Sequence, residues 1–414
     1  MVILVKKIVV IGGGASGMVA AIKASKNHEV LILEKYPNVG KKILITGNGK
    51  CNYFNDDFNI KHYISSNNEI LKQIINDKYK NKILTFFNEI GVIPRIKNGY
   101  YYPYSNQAVS IQNILLTEIR NRKIQVKTSE IVENVIRYNN KFLVKTDKNT
   151  YECDNVVLAT GSKACYDTVY DNFGYEIASS FGHSINSILP GLVQLKGNES
   201  YFKEWNGIRT DVAISLFVDD ELIKEEKGEI QLTNYGISGI CTMQLSNYAV
   251  PAINSNKSVE VKINFLDFLN IKTNLEFASF FKKRNNELKN RTVSELFDGI
   301  INYKLANLIF KLCDVKLDSK LNDLNESKIL ELGEKFISFK LKITDYNSFK
   351  DAQICLGGVD INEVNIETFE SKKQKGLFII GELLDISGEC GGYNLGFAWL
   401  SGIIVGEYIG ELND

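Results

Sequence analysis

The stretch between Lys7 and Glu34 constrains the fold more than any other part of this sequence. An apolar run rich in β-branched residues, Lys7–Ile11, predicts a buried strand, and it leads directly into GGGASG at positions 12–17. A helix is predicted over 18–25, and a second buried strand over 30–33 ends at Glu34. This order of strand, glycine turn, helix and strand is typical of a Rossmann unit that binds a dinucleotide.

Individual residues of this unit have physical roles in binding a dinucleotide. Gly12 permits a tight turn at the end of the strand, and Gly14 has no side chain to keep the backbone away from a pyrophosphate. Gly17 lets the helix pack closely on the strand, and the start of that helix offers unpaired N–H groups to phosphates. The carboxylate of Glu34 can accept both hydroxyls of an adenosine ribose and would repel a 2′-phosphate, so NADP is disfavoured at this site.

Charge and composition argue against several other classes of protein. Among the 414 residues, 49 lysines and arginines balance 49 aspartates and glutamates, so nothing indicates binding to nucleic acid or to an anionic membrane. No apolar run is long enough to cross a bilayer, and two lysines interrupt the apolar N-terminus before the glycine turn. Seven cysteines without a CxxC pair and only three histidines argue against a disulfide framework or a metal site. We expect a cytoplasmic protein without a metal.

A second glycine turn occurs close to the C-terminus. An apolar strand is predicted over 376–380 and ends at Gly381 and Glu382, and GECGGYN at 388–394 precedes an apolar helix over about 395–408. Two glycine turns that each open a helix suit a long dinucleotide, with one helix N-terminus at its diphosphate and the other at its far ring. With a single GxGxxG, the site holds either NAD or FAD. Glu382, the acid at the end of the C-terminal strand, favours FAD, because it can bind ribityl hydroxyls.

The order of strand and helix patterns predicts an α/β domain that is split by an insertion. Strands and helices alternate in residues 1–190 and 346–414, whereas β character or charged helical patterns fill the region between. We therefore predict a FAD-binding domain formed by these two segments. Within the insertion we predict a β-rich domain over 191–274 and 325–345, and a helical subdomain over 275–324.

Several stretches resemble the motifs of one family of bacterial flavoproteins. The most specific is GKKILITGNGKCN at 40–52, a stretch whose glycine and asparagine content predicts a loop. It resembles the family sequence GKKLLITGGGRCN and departs from it at Asn48 and Lys50. Three further stretches resemble family motifs: GGV and EVN within 357–365, GELLD over 381–385 and GGYNL over 391–395.

On these motifs the whole chain resembles the HI0933-like family, also called the YhiN or BaiN-like family, of FAD-dependent oxidoreductases. The resemblance implies a Rossmann-type FAD-binding domain like that of glutathione reductase, an inserted β-barrel-like domain and a small helical domain. It also implies the FAD contacts: Gly12, Gly14, Ala15, Ser16, Gly17, Glu34, Lys35, Lys41, Gly49, Cys51, Asn52, Thr160, Gly161, Gly381, Glu382, Gly392, Asn394 and Leu395, with Val132 as a backbone contact to adenine.

Two positions depart from the family pattern where substrate chemistry is expected. TNYGISG at 233–239 matches a family THxGxSG motif, but Asn234 replaces the histidine, and asparagine cannot act as a general base near neutral pH. Tyr100 stands where the family has the arginine of an RVFP segment. The catalytic residue stays open, with three candidates: Cys51, Tyr102 and Tyr393.

Two cysteines fall in segments that we predict to lie near the flavin, Cys51 and Cys390. A redox-active pair is one interpretation of this placement. The alternative is that both are small residues that fill space beside the ring. The second interpretation is favoured, because the two cysteines come from distant segments and no CxxxxC disulfide motif occurs.

The leading functional hypothesis is a flavin oxidoreductase that takes hydride from NAD(P)H through FAD to an unsaturated, enone-like small molecule. One alternative is an oxidase that passes electrons from an amine or similar small donor to dioxygen, since a second nicotinamide-binding motif is missing. Another is a flavoprotein that acts on or binds RNA, against which the neutral net charge argues. The expected partner is a small-molecule substrate, with neither a membrane nor nucleic acid.

Overall fold

The computed structural model describes residues 4–165, 172–288 and 291–412. The chain divides into two compact units, of which unit 1 comprises Met1–Leu189 and Ile354–Asp414 and unit 2 comprises Pro190–Gln353. Unit 2 is therefore inserted in the sequence of unit 1. The division of this insertion into a β-rich domain and a helical subdomain at the predicted boundaries stays a prediction.

The first segment of unit 1 alternates strands and helices. Its strands are β1 (Lys7–Ile11), β2 (Glu29–Leu33), β3 (Phe54–Asn55), β4 (Tyr63–Ile64), β5 (Pro94–Lys97), β6 (Tyr100–Pro103), β7 (Gln125–Lys127), β8 (Val132–Tyr138), β9 (Lys141–Thr146), β10 (Thr150–Cys153), β11 (Asn155–Leu158) and β12 (Ile185–Gly191). Its helices are α1 (Ala15–Ala24), α2 (Lys41–Ile45), α3 (Asn68–Leu71), α4 (Asp77–Glu89), α5 (Ala108–Asn121) and α6 (Phe173–Ser180).

Unit 2 contains a seven-stranded sheet and several helices. The strands are β13 (Leu195–Lys196), β14 (Arg209–Val218), β15 (Glu221–Leu232), β16 (Gly236–Ser238), β17 (Val259–Asn264), β18 (Phe339–Ile343) and β19 (Asp345–Tyr346), in the order β18-β17-β14-β15-β16-β13-β19. The helices are α7 (Phe202–Trp205), α8 (Ile240–Asn254), α9 (Asn274–Glu287), α10 (Tyr303–Leu312) and α11 (Glu326–Ile337). Neighbouring strands of this sheet are antiparallel, and along β17 buried residues alternate with partly buried ones, as expected for a sheet with one face in a core.

The chain then returns to unit 1 and completes it. The last elements are β20 (Ile354–Val359), β21 (Leu377–Ile379), β22 (Ser387–Gly388) and α12 (Tyr393–Gly410). Within the described part of the chain, we find no helix with the length and apolar character needed to cross a bilayer. The C-terminal segment therefore adds strands and one long buried helix to the domain that the first segment began.

A five-stranded parallel sheet forms the centre of unit 1, in the order β21-β11-β1-β2-β7. Its inner strands are apolar runs because helices cover both faces of such sheets, and β11 is buried along its whole length. All five strands are parallel, so their carboxyl ends meet at one edge of the sheet. This edge brings together the residues that follow β1, β2, β11 and β21, and ligands bind at such edges in open α/β sheets.

The prediction of a loop over 40–52 is wrong in its first half. Gly40 adopts a left-handed φ of 74°, and helix α2 begins directly after it, because Lys41–Ile45 consists of residues that tolerate helix well. A 3₁₀ turn follows over Thr46–Gly49, in which Gly47 and Asn48 are left-handed. The glycines therefore delimit a short helix rather than fill a loop.

Helices α1 and α12 pack against each other so closely that only small residues fit between them. A Cβ atom at Gly402 would lie 2.5 Å from the backbone oxygen of Ser16, and one at Gly406 would lie 2.6 Å from that of Ala20. The hydroxyl of Ser401 accepts a hydrogen bond from Gly381 N–H at 3.1 Å. The small residues of the last helix therefore pack against the first helix of the chain.

This packing predicts the effect of one added methyl group. We expect Gly402→Ala to destabilise unit 1 by about 1–3 kcal/mol, because the new Cβ would collide with backbone that cannot move without shifting α1. Gly396→Ala in the same helix is the control, since its Cβ would meet ring carbons of Phe54 at 3.3 Å or more and alanine favours helix by about 1 kcal/mol. Hydrogen exchange of α1 and α12 measures the difference, and equal protection in the two variants would contradict it.

Candidate functional site

The first glycine turn presents an open helix N-terminus at the edge of the parallel sheet. Gly12 has a φ of 104°, and a Cβ there would lie 2.4 Å from the oxygen of Ala159, while one at Gly17 would lie 2.0 Å from the oxygen of Gly12. Gly14 is the N-cap of α1, and within the described part of the chain no side chain caps this helix and no packing neighbour lies within 4 Å of a Cβ placed on Gly14. The first-turn N–H groups, including those of Ala15 and Ser16, therefore face a space that can take an anion.

Glu34 follows β2 and is held by the backbone of the neighbouring turns. Its Oε2 accepts a hydrogen bond from Gly13 N–H at 2.8 Å, and its Oε1 accepts one from Tyr36 N–H at 2.9 Å. An ionised carboxylate has about four acceptor positions, so about two stay available for hydroxyl donors. The backbone N–H of Glu130 donates to the oxygen of Glu34 at 3.1 Å, so the segment that leads to Val132 passes beside this acid.

Two lysines that we predicted as FAD contacts lie against one tyrosine ring. The ammonium groups of Lys35 and Lys41 lie 5.1 Å and 4.1 Å from the ring centroid of Tyr36, which follows Glu34 closely in sequence. Positive charge is attracted to the face of an aromatic ring at such distances. The structure therefore brings both lysines to the Glu34 side of the first glycine turn.

The C-terminal strand end brings Glu382 and Lys42 together near the first glycine turn. A Cβ at Gly381 would lie 2.5 Å from the hydroxyl of Ser16, so this turn packs directly on α1. Glu382 Oε2 accepts a hydrogen bond from Lys42 Nζ at 2.6 Å, while its Oε1 is buried without a hydrogen-bond partner among the described residues. Burial opposes the charge of Lys42, but the Glu382 carboxylate outweighs it and raises the pKa of the ammonium.

Sequence reasoning missed Lys42 and selected only its neighbour Lys41. Successive residues of a helix project about 100° apart, and both lysines lie in α2, so only one of them can face Glu382. The doubled lysine itself was the available signal. It indicated a cationic helix start but not which of the two side chains would turn inward.

The second glycine turn opens α12, and its own side chains hold it in shape. Asn394 Oδ1 accepts a hydrogen bond from Gly388 N–H at 2.8 Å, and its Nδ2 donates to the oxygen of Gly388 at 2.8 Å. The N-cap is Gly392, which has a φ of 94° and no side-chain cap. A Cβ on Gly392 would lie 3.0 Å from Asn52 Oδ1, an oxygen that is buried without a hydrogen-bond partner among the described residues. The helix start that contains Leu395 is thus uncapped, like that of α1.

The residues of unit 1 fit FAD. Two uncapped helix N-termini can bind anionic or electron-rich groups, and the orphaned oxygens of Glu382 and Asn52 can accept hydrogen bonds from a ligand. FAD carries a diphosphate, ribityl hydroxyls and an imide N–H, which match these groups in kind. Thr160 and Gly161 follow β11 at the same sheet edge, whereas Gly49 is exposed at the end of its 3₁₀ turn.

A cluster of aromatic and charged side chains surrounds the second glycine turn. A Cβ at Gly391 would lie 2.9 Å from the ring of Tyr100 and 3.3 Å from that of Tyr393. The ring of His62 stacks on that of Tyr393, with centroids 4.4 Å apart and planes 20° apart. His62 Nδ1 lies 2.7 Å from Glu389 Oε2, and its Nε2 lies 2.9 Å from an oxygen of Asp57.

The two tyrosine candidates differ in their surroundings. Burial, together with the nearby charge of Asp57, raises the pKa of Tyr393, so its phenol stays protonated near neutral pH. Tyr102 lies in β6 opposite Arg95 and is partly buried, which also raises its pKa. Tyr393 is the candidate whose ring contacts that of His62 at the second glycine turn.

Sequence reasoning missed His62 and its two carboxylate partners. With only three histidines, the sequence gives no indication that His62 has a functional role. Nothing near His62 in sequence indicates its contact with Glu389, which lies 327 positions further on. In the part of the chain that the structure describes, no group of three or more His, Cys, Asp or Glu side chains could hold a metal ion. Asn234 is exposed between β15 and β16 in unit 2.

Cys51 is fully buried and its surroundings do not favour a thiolate. Burial raises the pKa of this thiol to about 12, and a hydrogen bond with Thr46 only partly opposes that effect. The described cysteines form no disulfide. Since the thiolate is the reactive form, Cys51 is poorly suited to nucleophilic or redox chemistry at neutral pH. The space-filling interpretation of Cys51 is the one that its burial supports.

The burial of Cys51 predicts its reactivity with iodoacetamide. At pH 7 to 8 we expect Cys51 of the native protein to stay unmodified. The thiol is buried, and this pH lies far below its pKa of about 12, so little thiolate is present. Protein unfolded in guanidinium before treatment is the control, and it should be labelled fully. Peptide mass spectrometry reads the result, and rapid native labelling of Cys51 would contradict the prediction.

Comparison with known proteins gives full-length matches. The family described as the HI0933-like protein Rossmann domain matches residues 6–408. The chain is 35% identical over 411 residues to the 3-dehydro-bile acid delta(4,6)-reductase of Clostridium scindens, covering 98% of this chain and 99% of that protein. It is 25% identical over 394 residues to the ribosomal RNA dihydrouridine synthase of Escherichia coli, covering 95% of each, and 25% identical over 404 residues to that of Haemophilus influenzae, covering 95% and 96%.

The matches span the Rossmann unit, the inserted unit and the second glycine turn together. The Rossmann domain that this family describes agrees with the parallel sheet of unit 1. An FAD-dependent oxidoreductase with a Rossmann-type FAD-binding domain, this protein belongs to the HI0933-like family.

Proposed function

We propose that this protein is an ene-reductase that transfers hydride from NAD(P)H through FAD to a C=C bond conjugated with a carbonyl group in a small molecule. The observation that carries the proposal is the 35% identity over nearly the full length of a delta(4,6)-reductase of 3-dehydro-bile acids. A delta-4,6 3-ketone is a conjugated dienone. Full-length similarity at this level supports the same class of reaction. The identity of the substrate depends on individual side chains of the site.

The second group of relatives supports the same bond chemistry. A dihydrouridine synthase saturates the C5–C6 bond of uracil, which is conjugated with the C4 carbonyl, so its reaction is also an ene reduction. Both kinds of relative therefore need a hydride for the β-carbon and a proton for the α-carbon of an unsaturated carbonyl. An RNA substrate is our second candidate, and the relatives at 25% identity favour it. The equal numbers of acidic and basic residues favour the small molecule.

The site residues divide the work of binding in our proposal. The N-terminus of α1 holds the diphosphate of FAD, Glu34 accepts ribose hydroxyls, and the orphaned oxygens of Glu382 and Asn52 accept hydrogen bonds from the rest of the cofactor. FAD, when bound, supplies hydride transfer between NAD(P)H and the substrate. The positive end of the α12 dipole favours negative charge at the far ring.

Tyr393 supplies the proton in this proposal. Its phenol is neutral at physiological pH because burial raises its pKa, so it can donate to the substrate when the hydride arrives. It lies at the first position of α12, beside the glycine turn that we assign to the flavin end of the site. Tyr102 is the other tyrosine candidate, and it lies on a strand next to the exposed Tyr100.

Anaerobic half-reactions test the proposed function. We expect NADH or NADPH to bleach the flavin, and a 3-keto-delta-4,6 steroid then to restore its absorbance with formation of a product heavier by two hydrogens. Unmodified ribosomal RNA, offered in place of the steroid, is the second arm, and reoxidation by RNA alone would select the RNA candidate. If an amine reduces the flavin and neither NADH nor NADPH does, the reductase proposal is overturned in favour of an oxidase.

The orphaned carboxylate oxygen predicts the effect of changing Glu382. Glu382→Gln should weaken FAD binding by about 10- to 100-fold, since a hydrogen bond to a charged group contributes about 1.5–3 kcal/mol. Glu363→Gln is the control, because Glu363 is also a partly buried carboxylate of unit 1, but it pairs with His183 and Lys373. Titration of apoprotein with FAD, followed by flavin fluorescence, gives both dissociation constants. Equal constants for wild type and Glu382→Gln would remove Glu382 from the cofactor site.

A further inference from the structure

The strongest unassigned feature of unit 1 is the arrangement around His62. Both ring nitrogens contact carboxylates, Glu389 at 2.7 Å and Asp57 at 2.9 Å. An ionised carboxylate can only accept hydrogen bonds, so each of these contacts requires an N–H on the ring. A neutral imidazole has one N–H and cannot satisfy both. The geometry therefore requires the imidazolium form of His62.

The backbone fixes this imidazolium to the second glycine turn. Glu389 N–H donates to the oxygen of His62 at 2.9 Å, and Tyr63 pairs with Gly388 where β4 meets β22. The hydroxyl of Tyr63 donates to the oxygen of Tyr393 at 3.0 Å. His62 and the first residue of α12 are thus linked by main chain as well as by the stacked rings.

The stacking places a cation on the face of the Tyr393 ring. The centroids lie 4.4 Å apart with an angle of 20° between the planes, within the range at which a cation and an aromatic ring attract each other. Two carboxylates lie beside the same ring, and both disfavour negative charge on the phenol. Without the imidazolium, the positive charge that contacts both carboxylates at the face of this ring would be lost, while the two carboxylates would remain.

We propose that His62 is a positioning residue that acts through Tyr393, holding its ring in place and offsetting the negative charge that develops when Tyr393 gives up its proton. This inference rests on the proposed ene-reductase function. In the step concerned, a hydride supplied by NAD(P)H through FAD forms a C–H bond at the β-carbon of the unsaturated carbonyl. The π bond between the α- and β-carbons breaks, and its electron pair passes to the α-carbon. The O–H bond of Tyr393 breaks, its proton forms a C–H bond at the α-carbon, and water returns a proton to the phenolate.

The charge of His62 makes this step dependent on pH. The titratable groups that face the ring are Asp57, Glu389 and Tyr393, and Lys61 pairs with Asp57 at 2.7 Å. Burial lowers the pKa of His62, but the two carboxylates outweigh burial and raise it above 6.5. The cationic arrangement is therefore complete below the ordinary histidine pKa and is lost as the pH rises through the raised value.

Three variants and the two half-reactions test the proposal. With His62→Gln, we expect flavin reoxidation by the 3-keto-delta-4,6 steroid to slow by about 10- to 100-fold, while flavin reduction by NAD(P)H changes by less than about twofold. With His62→Arg, the planar cation can still bind both carboxylates, so reoxidation should recover to within about tenfold of wild type and lose its alkaline limb. His183→Gln is the control. His183 is also a histidine of unit 1 beside a carboxylate, with Glu363 and the hydroxyl of Ser371 as its neighbours, and this variant should keep the wild-type pH profile.

Nitrogen NMR of labelled histidine gives a readout independent of activity, because the chain has only three histidines. We expect the His62 resonances of holoenzyme at pH 7 to report a doubly protonated ring, and those signals to vanish in His62→Gln. A neutral His62 ring at pH 7, or a wild-type alkaline limb in His62→Gln, would overturn the proposal. If wild-type flavin is not reoxidised by any enone or uracil substrate, the proposed function fails, whereas normal reoxidation in His62→Gln refutes only the role of His62.

Discussion

The contact between α1 and α12 is the constraint on which the rest of unit 1 depends. With a Cβ absent at Gly402, the last helix lies against the backbone oxygen of Ser16, in the first turn of the first helix. Two helices in such contact have their N-termini fixed relative to each other. The two glycine turns, separated by most of the sequence, thereby become parts of one site. A molecule with a phosphate end and a ring end can use both turns at once.

The buried charges of this site follow one pattern: acids from the C-terminal segment pair with cations from the first segment. Glu382 binds Lys42 and Glu389 binds His62. Each cation is partly removed from water, which would be costly without a partner. These pairs join the two segments of unit 1 near the site as the parallel sheet joins them in the core. Glu382 can still bind a ligand, since one of its oxygens has no hydrogen-bond partner among the residues that the structure describes.

The parts of the fold that the sequence predicts are those in which cause and effect are adjacent in the chain. Gly12 and Gly17 lie within one strand–turn–helix segment, and their roles in the turn and in tight packing follow from spacing alone. The choice between Lys41 and Lys42 could not be predicted, because it depends on how α2 is rotated about its axis. The His62 and Glu389 pair could not be predicted either, because only the folded strand pair of β4 and β22 brings these residues together.

Under our proposal, hydride transfer and proton transfer have different requirements, and different segments of unit 1 meet them. Hydride transfer depends on a cofactor, so the residues for it are glycines, helix starts and hydroxyl acceptors that any similar cofactor would need. Proton transfer depends on a side chain whose charge can be controlled, and the structure provides a buried phenol stacked on a histidine between two carboxylates. In our proposal, the site at the second glycine turn accounts for the class of bond that is reduced, whereas the identity of the substrate depends on side chains further from that bond.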